Sequence, residues 1–223
     1  MSYLTKSIFK TAIFAAALIA PITVPYGKAL AATPEADTVI GGLDYGPLAE
    51  LVGTWKTDTA GGVDIAPGRA DSTVGEGGVA VSPYYETMTF SPAGDATNAS
   101  DQHLAAMFYR QQVFRKSDNK QFHDQIGYLI YDKKNQMVYD TFCIPRAVCV
   151  VAEGKPGTTL ALKSEGQGIA QSQYMVKNDN TGNFTITYEI SKNTLKYKQE
   201  TNLQVYGKPF SHIDSGTLTK AGN

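Results

Sequence analysis

Histidine is scarce in this chain: three copies in 223 residues, one of them near the end in "GKPFSHIDSGTLTK", Gly207 to Lys220. An imidazole on a strand can hold a transition metal or haem iron, or can be an ordinary polar side chain. His212 is therefore the residue on which most of the possible chemistry turns. His123 in "FHDQIGYLIYD" and His103 in "HLAAMFYRQQVFRK" are the others, and no two histidines have the close spacing of a metal-binding pair. The two cysteines lie in "TFCIPRAVCVV", symmetric about Arg146. If Pro145, Arg146 and Ala147 form a three-residue hairpin loop, Ile144 faces Val148 and Cys143 faces Cys149. Directly opposed residues are about 4.5–5.5 Å apart at Cα, within disulfide reach. Two buried free thiols are the other reading; a metal site is disfavoured because Pro145 and Arg146 offer no further ligand. Ser117 and Lys120 in "SDNK" have nucleophile–base spacing but read as a polar turn. No Gly-x-Ser-x-Gly, His-Glu-x-x-His or phosphate loop occurs. The pattern favours a binding protein over a conventional hydrolase or zinc enzyme.

These residues must be positioned by strands. "NFTITYEIS" puts Phe184, Ile186, Tyr188 and Ile190 on one face and Thr185, Thr187 and Glu189 on the other. "LKYKQETNLQVY" places Leu195, Tyr197, Leu203 and Val205 opposite Lys196, Lys198, Glu200 and Asn202. Such period-two alternation, broken by turns such as "YDKKNQ", "KNDNTGN" and "SKNT", predicts about ten antiparallel strands. The fold class is all-β, a single up-and-down barrel or a sandwich. Only "YGPLAEL", Tyr45 to Leu51, reads as a helical turn, with Pro47 suited to its first position. The Gly-rich stretch between Thr59 and Ser82 reads as a long loop. "HLAAMFYRQQVFRK" and "QFHDQIGYLIYD" carry polar and apolar residues on both faces. Either the barrel exterior is partly covered, or the interior holds polar groups around a ligand.

The first 31 residues read as a secretory signal peptide: Lys6 and Lys10, an apolar run from Thr11 to Ala20, then Ala29-Leu30-Ala31 before the cleavage point. The run is too short to span a membrane. Residues 32–44 then form a flexible segment and residues 45–220 the barrel. The leader takes three lysines and no acid, so 17 of the 20 basic residues remain against 21 acidic ones, a net charge of about −4. That balance argues against a nucleic-acid partner. Export to the periplasm or beyond favours the disulfide.

Four segments, in order along nearly all of the mature chain, resemble the nitrobindin-type haem-binding β-barrels, relatives in shape of fatty-acid-binding proteins and lipocalins. "GPLAELVGTWKTD" resembles their opening helix and Gly-x-Trp strand, and "FHDQIGYLIYD" their His-x-Glu-x-Gly-aromatic strand, with Gln125 in place of Glu. "CIPRAVCVVAEG" resembles the following Pro145-containing hairpin, and "YGKPFSHIDSGTLTK" the closing strand that carries the haem ligand. The resemblance implies a cavity for haem or a similar hydrophobic small ligand. It implies Trp55 as the plug of the barrel base with Gly53 allowing close backbone approach, and Gly127 at a bend or close contact. His212 is the candidate ligand to haem iron, although ungapped alignment puts the axial position on Ile213, one residue later and on the opposite face. His123 reads as a structural residue or a ligand contact. If haem binds, the resemblance implies nitric oxide or peroxynitrite chemistry at ferric iron; if ligation has been lost, the barrel carries another apolar molecule or serves a structural role.

Overall fold

The computed structural model describes residues 37–222, so the expected signal peptide and the start of the 32–44 segment lie outside the described residues. A ribbon of β1 (Val39–Ile40) and β2 (Leu43–Asp44) leads into a 3₁₀ helix, Gly46–Leu51, with Pro47 in its first turn. Eleven longer strands follow: β3 (Gly53–Thr57), β4 (Gly62–Pro67), β5 (Val79–Asn98), β6 (Gln102–Arg115), β7 (Gln121–Asp132), β8 (Met137–Ile144), β9 (Val148–Gly154), β10 (Thr159–Gln171), β11 (Asp179–Ile190), β12 (Thr194–Val205) and β13 (Lys208–Lys220). A six-residue helix, α1 (Gln173–Asn178), links β10 to β11 and is capped by Ser172.

From β5 to β13 each strand pairs antiparallel with the next, and the ring closes through β3 and β4. These two share one place between β5 and β13. β3 pairs with Leu218–Lys220 at one end of β13, and β4 pairs with Ile213–Ser215 nearer the other. Closure pairs most strands on both sides, but beyond Phe90 the strand β5 pairs only with β6.

At the β3 end the interior is apolar. Leu48 and Leu51 of the 3₁₀ helix pack with Trp55, Met88, Leu129, Val138, Leu160, Leu195 and Leu218 in one buried cluster. Trp55 is 0% exposed, and its indole N–H donates to the Leu51 carbonyl at 2.6 Å. Trp55 thus holds the helix across the floor. Gly53 has φ +124°, a conformation that a side chain would strain, and this backbone requirement matters more than close approach, since a Cβ there would meet only Lys220 Cε, at 3.3 Å. At Gly127 the constraint is contact: a Cβ would sit 2.2 Å from the Thr141 carbonyl oxygen.

The stretch expected as one loop from Thr59 to Ser82 contains β4 and the start of β5, leaving residues 59–61 and 68–78 irregular. The alternation in "GVDIAP" is inverted, which hid the strand. Val63 and Ile65 point outward, where Val63 is 38% exposed, while Asp64 points inward and is buried.

The hairpin closes as its symmetry predicts. Ile144 pairs with Val148, Cys143 pairs with Cys149, and the two cysteines form a disulfide with Cα atoms 4.1 Å apart. Ala147 supplies the left-handed residue of the three-residue loop, at φ +58°. Opening this short covalent loop with Cys143→Ser and Cys149→Ser is expected to cost about 2–3 kcal/mol by the chain-entropy estimate. Denaturant melts of oxidised wild type and the double variant check this; equal midpoints would show that the bridge contributes no stability.

Candidate functional site

Above the apolar floor the inward faces carry polar residues in tiers. In the first, the Asp140 carboxylate is 0% exposed and accepts hydrogen bonds from the Tyr109 and Tyr188 hydroxyls at 2.8 and 3.1 Å, while Gln125 donates to Tyr109 at 2.7 Å. In the second, buried Glu86 accepts from Gln111 Nε2 at 2.5 Å and from the Tyr197 hydroxyl at 3.0 Å, and the Tyr84 and Tyr197 hydroxyls hydrogen-bond each other. Gly216 makes this tier possible, because a Cβ there would lie 2.6 Å from Glu86 Oε1 and 2.9 Å from the Tyr197 ring. Burial raises the pKa of Asp140 to about 7, against the opposing effect of its tyrosine hydrogen bonds. Burial likewise raises Glu86 to about 7.

The third tier lies toward the mouth, about six residues along β13 from Leu218 and so roughly 20 Å from the floor. Asp64 on β4 and Asp214 on β13 are directly paired across the sheet, and Gln199 on β12 pairs with Asp214 from the other side. His212, two residues from Asp214, shares its inward parity. Its Nε2 lies 2.7 Å from Asp64 Oδ1 and 3.5 Å from Asp214 Oδ2. Gln199 Nε2 donates to Asp214 Oδ2 at 2.8 Å. The side chains of Asp64, Asp214 and His212 are 8%, 16% and 29% exposed. Burial opposes protonation of His212, but the hydrogen bond to Asp64 and the charges of Asp214 and Asp64 outweigh it and raise its pKa above the ordinary imidazole value. Burial raises Asp214 to about 6, partly offset by His212.

His123 faces the same interior. Its Nε2 is 3.3 Å from Gln125 Oε1, and burial depresses its pKa, with the nearby His212 and Arg146 charges acting in the same direction. The disulfide hairpin brings Arg146 to this end of the barrel, where it also reaches Asp179 at 3.8 Å. The wall beside the hairpin is apolar: Phe142 and Phe184 meet edge to face with ring centres 5.1 Å apart, alongside buried Val148, Val150 and Met175. The mouth therefore has one acidic, imidazole-bearing side and one apolar side.

Of the residues singled out in the sequence, the structure turns His212 and His123 into this mouth; the Cys143–Cys149 hairpin with Pro145 lies at the same end of the barrel. Ile213 has the opposite parity to His212 and pairs with Ile65 of β4, itself on the outward-facing parity. His103 is exposed and bonds Thr97 at 3.0 Å. Trp55 and Gly53 belong to the floor, Gly127 to a strand contact, and Pro145 to the hairpin. Asp64, Glu86 and Asp140 carry no signal in the sequence, whereas Asp214, two residues after His212, shares its strand parity.

A closed antiparallel ring with an apolar floor and a histidine-bearing mouth is the architecture of barrels that hold one small ligand. The chain belongs to the THAP4-like, heme-binding beta-barrel domain family, which it matches over residues 44–220. Among solved structures it resembles that of Rv2717c from M. tuberculosis, with 16% sequence identity and a TM-score of 0.53 over 78% of this chain and 95% of the other, a likeness of fold. No curated protein matches the sequence.

Proposed function

We propose that this protein is an exported β-barrel that binds haem, or an apolar ligand of similar size, at the His212 mouth. Family membership and the inward-facing imidazole support the reading, and the apolar wall of Phe142, Phe184, Val148 and Val150 suits the face of a macrocycle. The residues fit haem in placement, with one condition. His212 Nε2 is held by Asp64, so it becomes available to iron only by leaving that carboxylate. Haem, once bound, would supply an iron centre for ligands such as nitric oxide; the chain's part is to present the imidazole and shield one face from water. Periplasmic or extracellular placement follows from the leader reading and accords with the disulfide. Among the described residues no helix is long and apolar enough to cross a membrane.

Hemin titration tests this. Wild type is expected to give a shifted, sharpened Soret band that is lost in His212→Ala and kept in His103→Ala and His123→Ala. Identical titrations of wild type and His212→Ala would remove iron ligation by His212 and leave a carrier of apolar molecules.

A further inference from the structure

We propose that Asp64, His212 and Asp214 form a site for one divalent transition-metal ion of the Zn²⁺, Mn²⁺ or Fe²⁺ class. This goes beyond the haem reading and does not depend on it, since both ions would claim the same imidazole nitrogen and exclude each other there.

Asp64 and Asp214 are directly opposed on the inward face of neighbouring strands, an arrangement in which like charges repel. Both carboxylates are largely withdrawn from water, which raises the cost further. Among the described residues no lysine or arginine comes within 4.0 Å of either, and the one basic partner is His212. A protonated His212 balances a single carboxylate. Asp214 receives the same imidazole's charge only at the longer 3.5 Å, with the neutral amide of Gln199 as its hydrogen-bond donor, and the buried Glu86 carboxyl of the next tier adds to the same acidic surroundings. A divalent cation resolves the pair.

Geometry and donor chemistry agree with that. One donor atom from each of Asp64, His212 and Asp214 lies within 4.8 Å of the other two. Ligands about 2.0–2.2 Å from a common zinc ion span up to roughly 4.4 Å, so small side-chain movements complete the set. One imidazole nitrogen with two carboxylate oxygens suits borderline first-row ions, whereas Ca²⁺ takes six to eight oxygens and Cu⁺ prefers sulfur. Gln199, bonded to Asp214, would fix that ligand's orientation, as outer-shell partners do in metal sites. Three protein ligands on adjoining strands β4 and β13 leave positions open toward the mouth, the arrangement of a site that also accepts water or a small anion.

The experiment uses untagged protein stripped with chelator, titrated with Co²⁺ by visible absorption and with Zn²⁺ by calorimetry. Wild type is expected to bind one ion per chain, to develop cobalt d–d bands, and to melt at higher temperature with Zn²⁺. Asp64→Asn, Asp214→Asn and His212→Gln should each weaken binding at least about tenfold, while the exposed His103→Gln leaves it unchanged. Three near-isosteric variants guard against one failing to fold, and circular dichroism confirms each. Absence of a one-to-one isotherm, or unchanged affinity in the folded ligand variants, overturns the proposal. Hemin titration of the same Asp64→Asn protein separates the two readings. Neutralising Asp64 loosens its hold on His212, so haem binding should be maintained or tightened while cation binding falls.

Discussion

Trp55→Ala is expected to cost about 3–5 kcal/mol of folding stability, the range for truncating a fully buried aromatic. Two losses combine. The first is the packing of the indole between the 3₁₀ helix and the floor residues Met88 and Leu218. The second is the bond that ties Leu51 to the strand, whose carbonyl would be left without its 2.6 Å donor. For a domain of this size each kcal/mol shifts the melting temperature by about 2–4 °C, so the variant should melt roughly 10 °C lower. Trp55→Phe keeps most of the ring and loses the donor, and should fall between. Because Trp55 of β3 pairs with Lys220, at the far end of β13 from His212, ligand affinity of the variant measured well below its melting point should stay near wild type. A stable Trp55→Ala protein that has lost binding would contradict the assignment of Trp55 to the floor.

The second large effect is a dependence of stability on pH that Asp140→Asn should reduce. Folded Asp140 holds its proton up to about pH 7, whereas an unfolded aspartate releases it near 3.9. Between those values the native state binds more protons than the unfolded chain, so stability falls as pH rises. The contribution is fully present below about pH 4 and is lost through pH 7, on the order of 4 kcal/mol at most. Asparagine keeps the shape and cannot ionise, so the variant should lose this part of the slope. Glu86, raised for the same reason, retains its own share. Denaturant melts at pH 5 and pH 8 measure the difference; parallel losses in wild type and Asp140→Asn would show that this carboxyl is ionised in the fold.

Strand periodicity was legible wherever the inward face is apolar. Phe184, Ile186, Tyr188 and Ile190 alternate cleanly, and all are buried. The cysteine spacing marked its hairpin, and Gly-x-Trp marked the floor. The mixed faces of β6 and β7 left two readings open. The structure places polar groups inside, with Gln111 and Gln125 on the inward faces alongside Tyr109. The site was harder to see for the same reason. A strand that turns its aspartate inward and its valine outward looks like a loop to any method that equates apolar with buried, and so β4 and Asp64 were missed. α1 was missed because six residues give too few turns to show a helical period.

The shared place of β3 and β4 in the ring has a mechanical consequence. Between the two stretches where β13 is paired on this side, Gly216 has no ladder partner from β3 or β4, and Thr217 receives a single amide bond from Asp58. The barrel therefore carries a seam there, with the floor strand on one side and the mouth strand on the other. Amide hydrogens of β4 should exchange with solvent faster than those of β3, because β4 can loosen in short local openings without dislodging the Trp55 plug. Faster exchange confined to β4 would mean that the mouth can widen while the base of the barrel keeps its shape.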